Sequence, residues 1–514
     1  GDSAFSNCSS LSSFTIPDGI TSIGDSAFSN CSSLSSFTIP DSVISIGDDA
    51  FYGCSSLNNI TVPDGVTSIG ESAFASCSNL SVANISDSVT SIGPHAFHNC
   101  INLKSVNIPK NLTFIQHETF NNCRSLNNIS IPDSVTTIGP QAFMGCSSLS
   151  SVDLPNNIET LYNGIFWNCS NLNDINIPDS VTSMGSYVFY GCRSLNSINI
   201  PDSVTSIGDN AFYGCSGLSS ISIPSKVTYI GSAAFYECSS LNSIDIPDSV
   251  TTIGDQAFSG CTNLESVKLS KNVTTLGTVF QNCSSLSSVV IPDGVEKLYG
   301  TFYRCSNLTQ VTIPSTVATI DSLDYSPEEW GGLGGLFDGC DKLQQIIYQG
   351  SWQQWAEMDV FSWNRSLDSL LVVQDGGSLP TTVDVQEEID NEYGTDTISI
   401  NWKANLVTGE VVYSGEVIYR PHWQAKSHVF TPISVKFNEG LKSVISGTFC
   451  RCGSAATIKE IYLPASVTQI SDDYTFLPCT SLEKVYFGGS EEEFNALVSD
   501  NAFDHSVEII YNYG

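Results

Sequence analysis

One cysteine spacing constrains this chain more than any other feature. Cys8, Cys31, Cys54, Cys77, Cys100, Cys123, Cys146, Cys169, Cys192, Cys215, Cys238 and Cys261 stand 23 residues apart, and Cys283 and Cys305 follow at intervals of 22. A phenylalanine lies three residues before each, from Phe5 to Phe302, and Phe-x-x-Cys returns at Phe337/Cys340, Phe449/Cys452 and Phe476/Cys479. Of the 18 cysteines only Cys450 falls outside this position. Self-similarity at a fixed period of this length marks a solenoid, whose units touch chiefly their neighbours. The arithmetic that would cut 514 residues into about three ordinary domains does not apply to such an array.

A full unit reads Leu34-x-x-Phe37-x-Ile39-Pro40-Asp41-Ser42-Val43-x-x-Ile46-Gly47-x-x-Ala50-Phe51-x-x-Cys54. Leu-x-x-Phe-x-Ile alternates as a strand does, with Phe37 and Ile39 inward and their neighbours outward. Pro ends the strand because it donates no ladder hydrogen bond, and Pro-Asp-Ser or Pro-Asp-Gly is turn chemistry. The glycine of Ile-Gly is expected to take positive φ and turn the chain again. A Phe-to-Cys spacing of three fits a short 3-10 or irregular turn better than a long helix. Eight of the 23 positions thus point inward, and only stacking can bury them. Strands about 4.8 Å apart would make fifteen coils on the order of 70 Å long.

These signatures resemble the BspA-like subclass of leucine-rich repeats, whose 23-residue unit carries the same Leu-x-x-Ile-x-Ile-Pro and Ala-Phe-x-x-Cys. The resemblance covers about 1–350 and again about 431–487. It implies a repeat solenoid of the leucine-rich-repeat type, with a parallel β-sheet on one face and short turns on the other. It also implies a secreted or surface-attached protein, since several such proteins are adhesins for host matrix proteins or other cells. The family has no shared catalytic residues to carry over.

The pattern breaks in identifiable places. Gly1 sits mid-repeat with no capping unit before it, as expected of an excerpt from a longer protein. The Cys305–Cys340 interval grows to 35, and the insertion reads Asp321-Ser-Leu-Asp-Tyr325-Ser-Pro-Glu-Glu-Trp330-Gly-Gly-Leu-Gly-Gly. Soon after comes Ile346-Ile-Tyr348-Gln-Gly350-Ser351-Trp352-Gln-Gln-Trp355, whose grammar recurs as Val485-Tyr-Phe487-Gly-Gly489-Ser490-Glu-Glu-Glu-Phe494. Ser351 and Ser490 read as N-caps of short helices that lay Trp355 and Phe494 over a terminal coil. The expected division is a solenoid over 1–373 with a cap at about 346–373. A linker and small β-rich unit follow over 374–430, then a second short block over 431–514 with a cap at about 485–514.

Chemistry is sparse. Fifty-three acidic against 19 basic residues give a net charge of −34, which argues against nucleic acid or anionic membrane as partner. No apolar run reaches 18 residues, so no membrane insertion is expected. No zinc-protease, phosphate-loop or nucleophile-elbow motif is present, and no catalytic residue or cofactor is assigned. The histidines at 95, 98, 117, 422, 428 and 505 read as unrelated repeat positions or lie outside the array, so no metal site is assigned. Stacked thiols read as buried apolar side chains rather than disulfides or zinc ligands, with Cys450 the one candidate for a free reactive thiol. Asp recurs after the repeat Pro, at Asp18, Asp41, Asp64, Asp87 and beyond. Such a column could hold Ca²⁺, but Lys110, Asn156, Ser225 and Lys271 interrupt it, and turn capping is the favoured reading.

The outward strand positions (Ser12, Ser13, Thr15; Ser35, Ser36, Thr38; Asn58, Asn59, Thr61) lack the aromatics and arginines of binding hot spots. One residue after the repeat Phe, however, Trp167, Tyr190, Tyr213 and Tyr236 follow one another in four consecutive units. A stacked aromatic stripe there suits sugar stacking or protein contact, against the alternative that each ring merely covers the next coil. Tyr325 and Trp330, with Trp352, Trp355 and Trp363, form a second candidate cluster near the first cap. The sequence therefore points to a non-enzymatic extracellular or cell-surface scaffold that binds a protein or glycan, or alternatively to a spacer presenting another domain.

Overall fold

The computed structural model describes residues 1–321, 335–360, 365–374, 380–390, 397–414, 417–418, 431–444, 457–470, 475–476, 479–498, 503 and 507–513. It forms two compact units. The first comprises Gly1–Val295, Gly300–Val311 and Phe337–Gln344; the second comprises Glu296–Tyr299, Thr312–Leu336 and Gln345–Gly514.

In the first unit the coils from Phe5 to Cys261 lie one on the next with residues 23 apart in register. Ser36–Thr38 pairs in parallel with Ser13–Thr15, and Asn59–Val62 pairs with Val82–Ile85. In the coil from Leu34 the buried side chains are Leu34, Phe37, Ile39, Val43, Ile46, Ala50, Phe51 and Cys54, the eight inward positions expected. Phenylalanine rings stack down the interior at 5.2 Å (Phe51–Phe74), 5.5 Å (Phe120–Phe143) and 5.3 Å (Phe189–Phe212). Burial of each ring contributes roughly 1.5–3 kcal/mol.

Two features differ from expectation. The Ile-Gly segment forms a second parallel ladder, Ser22–Ile23 on Ser45–Ile46 on Ser68–Ile69, so each coil carries two strands rather than one. Its glycine is not left-handed. A Cβ on Gly47 would stand 2.8 Å from the backbone N of Asp25 in the preceding coil, so glycine is required there by close backbone approach. The left-handed positions come two residues later, at Asp49 (φ +52°), Ser72 (φ +52°) and Ala233 (φ +51°).

The Phe-x-x-Cys side is an irregular turn that is itself laddered. Cys54 N–H donates to Phe51 O (3.1 Å), while Phe51 N–H and Gly53 N–H donate to Ala73 O and Ala75 O of the following coil. The thiols are more than apolar fill. Cys54 Sγ donates to Phe28 O (3.1 Å), Cys100 to Phe74 O (3.1 Å) and Cys192 to Phe166 O (3.2 Å), each reaching the preceding coil. Among the described cysteines all are free thiols, and Cys8 is exposed. Cys450 and Cys452 lie outside the described residues.

The second unit holds a seven-stranded sheet in the order Thr382–Asp390, Thr397–Asn405, Glu410–Ser414, Ser434–Phe437, Glu460–Leu463, Lys484–Phe487 and Glu508–Tyr511. The first two pairings are antiparallel and the rest parallel. The β-rich segment thus feeds directly into the second repeat block. Helix α1 (Trp352–Glu357) has Ser351 as N-cap with a reciprocal Gln354 contact, and Trp355 packs edge-on against Tyr348 at 5.2 Å. Helix α2 (Glu491–Asn495) has Ser490 and Glu493 in the same roles, with Phe494 5.3 Å from Phe487. Neither helix ends its ladder. Leu371–Val373 pairs with Ile346–Tyr348 after α1, and Glu508–Tyr511 pairs with Lys484–Phe487 after α2. Among the described residues no helix is long and apolar enough to cross a membrane.

Candidate functional site

The residue after the repeat Phe is buried in some coils, as at Ser29, Ala75, Asn121 and Ser259, and reaches the surface in others. Trp167, Tyr190, Tyr213 and Tyr236 are all half-buried and form one continuous column. Tyr190 and Tyr213 stack at 4.5 Å and 7°, and Tyr213 and Tyr236 at 4.7 Å and 11°, close to the strand spacing itself. Trp167 meets Tyr190 at 5.2 Å, tilted by 50°. Tyr187, which the sequence reading missed, stacks on Trp167 at 5.0 Å and 11°. It stands two residues before the repeat Phe in a left-handed conformation (φ +61°), which turns its ring towards the stripe. Only a column drawn through Tyr187 as well as Tyr190 could have revealed it.

The stripe floors a groove of about 600 Å³ whose lining includes Asn168, Arg193, Tyr213, Glu237 and Asn282. Burial first, then the neighbouring Glu237 carboxylate, pushes the Tyr213 phenol up to about 12. The same two causes raise Tyr236. Both rings therefore keep their protons and present neutral hydroxyls. Stacking has a geometric consequence: Tyr213 spends both ring faces on Tyr190 and Tyr236, so its edge and hydroxyl are what remain for a ligand. Tyr325, Trp330 and Trp363 lie outside the described residues, as do His422, His428 and His505. Trp355 is buried against Tyr348, so its place is packing.

The acidic column behaves as neighbour-to-neighbour capping. Asp87 accepts from Lys110 N (3.0 Å) and from Lys110 Nζ (3.0 Å), and Asp248 accepts from Lys271 N (3.2 Å) with its ammonium 2.7 Å away. The lysines that interrupt the column are its counter-charges. In each case the lysine's backbone N–H and ammonium hold the carboxylate below its usual range.

One cluster contradicts the reading of the histidines as unrelated. His95 and Glu118 stand 23 residues apart at one repeat position, both left-handed (φ +56° and +53°), so their side chains run alongside each other. His98, three residues on, turns into the same space. His95 Nδ1 and His98 Nδ1 each lie 3.4 Å from Glu118 Oε2.

The profile of the "BspA type Leucine rich repeat region (6 copies)" matches residues 1–127, 113–242, 205–326 and 426–511. The chain belongs to the BspA-type leucine-rich repeat family. A leucine-rich repeat protein of Bacteroides ovatus is 29% identical, with 68% of this chain and 97% of that one covered and a TM-score of 0.51. A leucine rich cell surface protein of Faecalibacterium prausnitzii is 31% identical over 62% of this chain and 86% of its own, with a TM-score of 0.38. The Treponema pallidum leucine rich repeat protein is 33% identical over 34% of this chain and 78% of its own, at 0.30. No functionally curated protein matches the chain.

Proposed function

We propose that this BspA-type chain is a non-enzymatic extracellular or cell-surface binding scaffold, and that the groove over Tyr190, Tyr213 and Tyr236 is its contact face. The observation that carries the reading is the half-exposed ring column lining a groove with charged and amide groups at its rim. Tyrosine supplies large, rigid contact area together with a hydrogen-bonding tip, the combination enriched at recognition surfaces. Because the ring faces are engaged by their neighbours, edge contacts and hydroxyl hydrogen bonds suit a protein ligand better than sugar rings laid on aromatic faces. The cell-surface description of the Faecalibacterium relative agrees with the proposed location.

The same face-to-face stacking favours the spacer alternative, in which the rings do no more than join coils. A pull-down from host matrix and neighbouring-cell proteins, run beside a glycan array, separates the two readings. A saturable ligand lost in the Tyr190→Ala/Tyr213→Ala/Tyr236→Ala variant supports the groove. A ligand bound equally by that variant removes the groove from the account, and no saturable ligand in either screen favours the spacer.

A further inference from the structure

We propose that His95, His98 and Glu118 form a site for a divalent transition-metal ion of the zinc class, built across two successive coils. The side-chain ligand atoms all lie within 4.8 Å of one another. Ligands held about 2.0–2.1 Å from a tetrahedral ion stand about 3.4 Å apart. The two imidazole Nδ1 atoms each lie 3.4 Å from Glu118 Oε2, so both carboxylate–imidazole edges already have that length.

Three further observations separate this arrangement from a chance surface grouping. His98 Nδ1 is buried without a hydrogen-bond partner although a carboxylate lies beside it. An imidazole carrying its proton on Nε2 offers a lone pair at Nδ1. The carboxylate is oriented from behind, since Asn121 Nδ2 donates to Glu118 Oε2 at 3.0 Å, an outer contact of the kind that fixes metal ligands. His117 packs edge-on against His95 at 4.9 Å and restricts its ring. The repeat supplies the convergence: one left-handed position, filled by His in one coil and Glu in the next, sets the two side chains parallel, and His-x-x-His closes the third corner.

Two nitrogen donors and one oxygen suit zinc, nickel or copper rather than calcium or magnesium. The three side chains remain about a quarter exposed (28%, 27% and 27%), so a bound ion keeps a coordination position open to solvent. Such an ion would clamp neighbouring coils and could accept a donor from a partner.

The test is calorimetric titration of the full chain with ZnCl₂ near pH 7.5, with Cys8→Ser included to remove the exposed thiol. One zinc equivalent is expected in the wild type and in Cys8→Ser, and is expected to disappear in both His98→Ala and Glu118→Gln. Circular dichroism and metal-free melting confirm that the variants remain folded. Titration of the wild type with CoCl₂ gives an independent readout, with visible d–d bands and no thiolate charge-transfer band. Zinc bound undiminished by both variants, no zinc bound by the wild type, or a thiolate-dominated cobalt spectrum would each overturn the assignment.

Discussion

Phe189 and Tyr190 are adjacent in sequence, and each belongs to a column that recurs with the repeat, yet the two columns obey different rules. The Phe column runs from Phe5 to Phe337 in the first unit, because every coil must fill the same interior volume. The column one residue later reads Ser29, Tyr52, Ala75, His98, Asn121, Met144, Trp167, Tyr190, Tyr213, Tyr236 and Ser259. Residue type varies widely there, although Ser29, Ala75, Asn121 and Ser259 are buried. A run of four half-buried aromatics is therefore not demanded by the shared interior volume, and the binding proposal rests on it. An inward column reports how the chain folds; an outward column is where a binding surface can be sought.

The largest test of the contrast is alkaline pH, which acts on the inward thiol column in nearly every coil. Burial pushes Cys100, Cys146 and Cys261 up to about 12, against about 8.5 for a thiol in an unfolded chain. A value raised on folding means that the folded state favours the neutral thiol. Its stabilisation is complete below about pH 8.5 and is lost progressively as pH rises towards 12. With one such thiol in nearly every coil, the urea midpoint is expected to fall steeply above pH 9. A midpoint flat from pH 8 to 11 would mean that the thiols are wet, and the interior column would lose its meaning.

Single substitutions come next. Phe189→Ala is expected to cost about 3–5 kcal/mol, since a fully buried ring leaves a cavity that neighbouring coils cannot close. Cys192→Ala is expected to cost roughly 1–3 kcal/mol, because it deletes both packing volume and the thiol bond to Phe166 O. Tyr190→Ala should cost about 1–3 kcal/mol, the scale of its two aromatic pairs with Trp167 and Tyr213. Urea titration read by circular dichroism ranks the three. A Tyr190 cost equal to that of Phe189 would make the stripe structural and weaken the binding proposal.

How much of this was legible depends on how many columns an inference needs. The interior needs one column at a time, so Leu34, Phe37, Ile46, Phe51 and Cys54 could be placed from periodicity alone. Gly47 was misread because its glycine is demanded by the backbone of the preceding coil, a neighbour that local turn chemistry does not contain. Tyr187 and the His95/His98/Glu118 group were missed because each joins two columns. Their meeting depends on a left-handed residue that folds position i back over i+3. The signal was present as 118 − 95 = 23 beside a His-x-x-His. Reading it requires comparing residues of different type at one position, and a search for repeated identities discards such pairs.

The smallest expected effect lies on the outermost column and tests whether surface charge belongs to the fold at all. Lys110 interrupts the acidic row and sets its ammonium 3.0 Å from Asp87. Lys110→Asn removes the ammonium but retains a backbone N–H for Asp87 Oδ1. Since Asp87 is held below its usual range, whatever stability it contributes is present above about pH 4 and is lost as pH falls further. The variant should therefore melt slightly lower than wild type at pH 7 and low salt. The two should converge in about 1 M NaCl, where the screening length falls to about 3 Å, and also when Asp87 is protonated. A difference that survives both high salt and acid cannot come from the ion pair. It would instead show that Lys110 packs as a structural member of its coil, so that the outward columns are constrained much as the inward ones are.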